Sequence, residues 1–113
     1  VRMKVVNLEQ GMPTVEQARA RLTDEMRAAR REGIRLLKLI HGYGSSGTGG
    51  ALRDGILGSL GRMKMQREIQ DFVAGEDWRI ANEITWALIK VHPELRNDPD
   101  LSRGNRGISV VVL

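Results

Sequence analysis

Residues 41–50 read HGYGSSGTGG, one histidine followed by five glycines, two serines, a threonine and a tyrosine. Side chains this small leave backbone amides and hydroxyls as the groups able to do chemistry. Consecutive bare amides that lead into a helix N-terminus form a nest of partial positive charge for an anion. Phosphate on a nucleic-acid backbone fits that description. On this reading Gly42, Gly44 and Gly47 admit the backbone, Ser45, Ser46 and Thr48 donate hydroxyls, and Tyr43 stacks on an unpaired base. Arg53, one turn into the following helix, faces the same region. The bland alternative is a loop whose glycines only turn the chain.

His41 has three readings. It fixes the loop by bonding a nearby carbonyl, touches phosphate, or works as an acid–base group, since its ordinary pKa lies close to physiological pH. His92, beside Pro93, reads as solvated or as capping carbonyls at a helix end. Two nucleotide motifs fail on inspection. GYGSSG (42–47) satisfies G-x-G-x-x-G, and Glu68 or Asp71 imitates the ribose-binding acid, but the chain lacks the strands of a two-half nucleotide fold. A P-loop needs lysine where Thr48 stands.

The elements that must position this loop follow from patterning. MKVVNL (3–8) predicts a strand, and EQGMP turns the chain. Thr14 and Gln17 form a capping-box pair, and Val15, Ala18, Leu22, Met26 and Ala29 recur at helical spacing up to Gly33. IRLLKLI (34–40) predicts a central strand buried on both faces, parallel to the first and joined to it by a right-handed crossover. The glycine loop thus leaves the carboxyl end of a central strand, where open α/β sheets place ligands. A helix is expected from Ala51 to about Gln66. Gly55, Gly58 and Gly61 lie inside it, which implies either close packing on the sheet or fraying near a ligand. IQDFV (69–73) predicts a third strand. Ile80, Ile84, Ala87, Leu88 and Val91 mark a further helix stopped before Pro93, with Trp86 expected in the core and Trp78 ambiguous. ELRNDPDLSRGNRG (94–107) reads as a long surface loop, and ISVVVL as a buried closing strand.

A chain of 113 residues, 41% hydrophobic, supports one domain. The absence of cysteine excludes disulfides and thiolate metal sites. No apolar run would span a bilayer and no charged-then-apolar leader opens the chain, so a soluble, cytoplasmic domain without a membrane partner is expected. Eighteen Lys and Arg against fourteen Asp and Glu give a net charge of +4, a mild bias toward polyanions. Most of the cations are arginine, and Arg19, Arg27 and Arg30 would extend a charged surface along the first helix.

LKLIHGYGSSGTGGALR resembles the central motif of Smr domains, the small MutS-related domains in which a hydrophobic strand runs into H-G-x-G and a glycine loop before a helix. VNLEQGMPTVEQARARL resembles the family's opening strand, turn and helix, and GNRGISVVVL its closing turn and strand. The resemblance covers nearly all of residues 1–113. It implies an α/β (α+β) two-layer sandwich with a mixed four-stranded sheet in βαβαβ(α)β order, similar to the C-terminal domain of translation initiation factor three, with a helical insertion at about 76–104. It also implies nucleic-acid binding, to DNA or RNA, and in several members endonuclease action or work on ribosomes. The implied anion-binding positions are His41, Gly42, Gly44 and Gly47, with Arg53 nearby.

One stretch departs from the pattern. Many nuclease members open with L-D-x-H, and here the equivalent residues are Val6, Asn7, Leu8 and Glu9. Asparagine keeps the shape of aspartate without its charge, and Glu9 cannot act as a cation at neutral pH. Catalysis would need a nonstandard set of His41 and Glu9, with Glu9 orienting water or holding a divalent metal alongside His41, Glu76 or Asp77. Otherwise no cofactor or metal site is expected. Three function classes therefore stand side by side: a nucleic-acid-binding domain, an endonuclease, and an interaction module that docks Trp78, Trp86 and the 80–91 helix on a protein or the ribosome.

Overall fold

The computed structural model describes residues 2–43 and 49–113. Gly44, Ser45, Ser46, Gly47 and Thr48 lie outside the described residues. The elements run β1 (Met3–Asn7), α1 (Val15–Arg31), β2 (Leu36–Ile40), α2 (Gly49–Met65), β3 (Asp71–Ala74), a 3-10 turn (Gly75–Asp77), α3 (Glu83–Val91), a second 3-10 turn (Pro93–Asn97) and β4 (Ile108–Val112). None of the described helices is long and apolar enough to cross a membrane.

α1 begins where its sequence says it should. The Thr14 hydroxyl accepts from the Gln17 amide at 3.1 Å while the Gln17 side chain accepts from the Thr14 amide at 2.9 Å, satisfying two donors the helix start would leave open. Its end is equally specific. Gly33 takes a φ of +74°, and Ile34 donates to the Ala29 carbonyl while Gly33 donates to that of Arg30. Ala18, Leu22, Met26 and Ala29 form the buried stripe.

The sheet order is β1-β2-β4-β3. β1 and β2 pair in parallel, with Val5 opposite Lys38, and β4 runs antiparallel to both β2 and β3. Alternation along β2 sends Leu37 and Leu39 to one face and Leu36 and Lys38 to the other, which is why four successive residues are buried. On the first face Leu37, Leu39, Val6 and Val111 meet the apolar sides of α1 and α2, namely Leu22, Met26, Ile56 and Leu60. On the second, Leu36, Val73, Ile108 and Val110 meet Trp78, Ile89 and Leu95. The mixed sheet and its two long helices match the expected frame, and the segment between β3 and β4 closes the other face.

That segment departs from expectation in three ways. The helix starts at Glu83, not near Ile80, because the Asn82 side chain caps it by accepting from the Thr85 amide at 3.0 Å. Ile80 precedes it and is 42% exposed. Trp86, expected in the core, is 38% exposed with Lys90 and Arg96 over its ring, and Trp78, which the sequence left ambiguous, is fully buried. Residues 94–107 are also more than a surface loop, since Leu95 is core and Asp98 is nearly buried. Within α2, Gly55 does answer a packing demand, but from α1: a Cβ there would come within 2.5 Å of Val15. Gly58 and Gly61 face only the Arg62 side chain and open space.

Candidate nucleic-acid interface

β2 delivers His41 to the carboxyl end of the sheet, and the ring turns inward. It is fully buried. Nδ1 lies 2.7 Å from the Gly42 carbonyl and Nε2 2.8 Å from the Ser109 hydroxyl. A carbonyl only accepts, so Nδ1 carries the proton and Ser109 donates to Nε2 in the neutral ring. Burial pushes His41 below the ordinary histidine value and Arg53 adds to this, against the Gly42 carbonyl, Glu9 and Glu76. The geometry is that of a neutral ring joining the loop entrance to β4, with both nitrogens engaged within the fold.

Gly42 has a φ of +70° and its amide donates to the Gly107 carbonyl at 3.1 Å, a carbonyl that also accepts from the His41 amide at 3.0 Å. The Gly42 amide is therefore used within the fold, contrary to the expectation of a bare donor. The positive φ calls for glycine, and a Cβ here would also come within 2.5 Å of Glu9 Oε2, the movable end of a side chain whose carboxylate rests over this position. Tyr43 is 57% exposed at the rim. Asn7 has a structural task that the L-D-x-H comparison did not foresee. Its Oδ1 accepts from the Glu9 and Gln10 amides at 3.0 and 3.1 Å and so builds the turn that sets Glu9 beside the loop. Glu9 and His41 are thus brought to the same loop entrance, one outside and one beneath. No group of three His, Asp or Glu side chains among the described residues converges to hold a metal ion.

Arg53 reaches across from α2 to the segment before β4. Its Nη2 bonds Glu76 and its Nε donates to the Arg106 carbonyl at 3.2 Å, while Arg106 Nε approaches the same Glu76 oxygen at 3.9 Å. Burial alone would raise the Glu76 carboxyl, but its own backbone amide, Arg53 and Arg106 together hold it below the ordinary glutamate range. Beside Glu76 an open groove of about 520 Å³ is lined by Arg79, Arg103 and Ser102. The first turn of α2 carries no acidic residue. Backbone amides, one fixed guanidinium and three further arginines therefore share one end of the molecule.

A buried ionic cluster on the second face was missed by sequence reasoning. Lys38 Nζ lies 2.6 Å from Asp98 and 2.7 Å from Asp100, and Trp78 Nε1 donates to Asp98 at 2.9 Å. The bond from Lys38 holds the Asp100 carboxyl below its ordinary value against the opposing effect of burial. The one available signal was a lysine inside an apolar central strand, which demands a carboxylate partner. The cluster reaches the loop entrance through one side chain. Asn105 donates to Asp100 at 3.0 Å and accepts from the Gly107 amide at 2.9 Å, and Gly107 in turn holds His41 and Gly42.

Comparison with known proteins agrees with this architecture. The family model for the Smr domain matches residues 10–90. The crystal structure of the Smr domain of Thermus thermophilus MutS2 is similar over 100% of this chain and 98% of that chain, with a TM-score of 0.57 and 25% sequence identity. A search of curated protein sequences returns no match. Because the matched span includes α1, β2, the glycine loop and α2, and the sheet order extends the likeness to both ends, the chain belongs to the Smr domain family.

Proposed function

We propose that this Smr domain binds nucleic acid by its phosphate backbone at residues 42–50 and the first turn of α2. The observation that carries the reading is the fixed placement of Arg53. Held in one geometry by Glu76 and the Arg106 carbonyl, it stands beside a first helical turn with no acidic residue of its own, so a phosphate that competes with Glu76 for it meets a donor that needs little further ordering. His41 serves from below: its two bonds set the loop's point of departure, and it acts as a positioning residue. The family's general association with nucleic-acid binding and nuclease action supports the same class of ligand.

The test is a titration of labelled DNA and RNA across a range of salt. Affinity should fall steeply as salt rises, and Arg53→Ala should weaken binding and flatten the salt slope by about 0.7–0.9, the share of one phosphate contact. Undetectable binding to either polymer at low salt would remove the reading.

The endonuclease reading has one supporting observation, the Glu9 carboxylate resting over Gly42 at the loop entrance. With Mg²⁺ or Mn²⁺ supplied, a mixed panel of RNA and branched DNA should then be cut, and Glu9→Gln should abolish cutting while binding persists. Cutting retained by that variant would assign it to another site or to contamination.

A further inference from the structure

The cations beside the glycine loop are largely neutralised: Arg53 and Arg106 share Glu76, and Asp54 stands 3.8 Å from Arg53. At the other end of α1 and α2 the balance differs. A cleft of about 440 Å³ between the two helices is lined by Thr23, Met26, Arg27, Arg30, Met63 and Glu68. Arg27 has no ion-pair or hydrogen-bond partner among the described residues, and Arg30 bonds only the main-chain carbonyl of Glu68. From the α2 side Arg62 pairs with the Ser59 hydroxyl at 3.2 Å and with no described carboxylate. Two turns toward the loop, Arg19 lies on the same stripe of α1 as Thr23 and Arg30. Its Nη1 is paired with Glu16, but its Nε is a buried donor with no acceptor among the described residues.

Gly58 and Gly61 lie on the side of α2 turned away from Met63, facing outward. Gly61 would accept a Cβ with nothing within 4 Å, and Gly58 would meet only the flexible end of Arg62 at 3.5 Å. Each glycine in a helix interior costs about 1 kcal/mol relative to alanine, so close packing inside the molecule does not explain either one.

We propose that the α1–α2 cleft is a second phosphate subsite, so that one nucleic-acid strand runs from the first turn of α2 along that helix to Arg27 and Arg30. The proposal rests on the nucleic-acid reading above and adds a length requirement to it. From the start of α2 to Met63, which lines the cleft, is about 20 Å at ~1.5 Å per helical residue. A stacked strand advances ~3.4 Å per nucleotide, so about six steps separate the two subsites. A four-nucleotide strand occupies one of them, and a twelve-nucleotide strand reaches both.

The experiment measures salt slopes for 4-mer and 12-mer single strands with the intact chain. The slope is the useful quantity because the larger number of registers on the longer strand leaves it unchanged. The 12-mer slope should exceed the 4-mer slope by about 1.4, two contacts at ~0.7 each on single strands. Arg27→Ala/Arg30→Ala should abolish that excess while the 4-mer still binds at the loop. Arg27→Ala alone, which removes no described bond, should halve the excess and guards against a folding defect in the double variant. Equal slopes for the two lengths, or a double variant that keeps the excess, would overturn the second subsite while the loop reading stands. Failure of both lengths to bind would overturn the two together.

Discussion

Lys38 within β2 and His41 just past its end stand three residues apart, both buried, and each pins a segment that arrives late in the chain. They do so by different physics. His41 is kept neutral and joins the loop entrance to β4 through two hydrogen bonds. Lys38 meets two carboxylates and joins the β3–β4 segment to the sheet through charge. A neutral peg loses little when its partners shift slightly. A buried ion cluster tolerates no missing member, because each charge left behind has no water to turn to. The loop entrance is thus pinned by hydrogen bonds of a neutral ring and the second face by charge, with Asn105 joining them.

The largest expected effect breaks the ionic side of this comparison. Lys38→Met leaves Asp98 and Asp100 facing each other without a cation, and removing one partner of a buried pair costs about 3–5 kcal/mol. Urea unfolding should show that loss, and adding Asp98→Asn and Asp100→Asn should restore much of it. The tryptophans come next. Trp78→Ala empties the second core and frees Asp98, for a loss of about 3–5 kcal/mol, whereas Trp86→Ala should cost less than about 1 kcal/mol. Equal losses would contradict the assignment of Trp78 as the core residue.

Acid separates the two pins by window. The folded state disfavours protonated His41, so its contribution is complete above the ordinary histidine value of 6.5 and declines as pH falls below it. Asp100 is also lowered, from 3.8, so the stability it contributes is lost only at more acid pH, as its folded carboxyl takes up a proton. Denaturant midpoints recorded from pH 8 to pH 3 should show the first decline disappearing in His41→Asn and persisting in Asp100→Asn. The smallest effect concerns α2: Gly61→Ala should raise stability by about 0.5–1 kcal/mol, since its Cβ meets open space.

The first face was legible because its signals are local. Thr14 and Gln17 announce the start of α1, Gly33 its end, and a period of 3.6 names Ala18, Leu22 and Met26. β2 and β4 are continuous apolar runs. On the second face the deciding interactions join residues sixty or more positions apart, as Lys38 with Asp98 and Asp100, and no local pattern ties them. Leu95 is hidden among Asn, Asp, Arg and Pro because a 3-10 turn lacks the period that exposes an amphipathic helix. Trp86 shares the helical spacing of the stripe, while Trp78 sits in a turn where spacing carries no information. The loop entrance was legible in place and only partly in role. H-G-x-G located it, but the bonds of His41 to Ser109 and of Gly42 to Gly107 depend on how β4 returns beside β2.

The central claim is that the amides between Tyr43 and the start of α2, beyond the engaged Gly42 amide, receive phosphate. Titrating the ¹⁵N-labelled chain with a 12-mer and following backbone amides together with the arginine Nε signals tests it directly. The account predicts that Tyr43, Gly49, Gly50 and the Arg53 Nε respond, with the shifts reversed by added salt. Saturable binding that leaves these signals unmoved while amides elsewhere on the surface shift would contradict it.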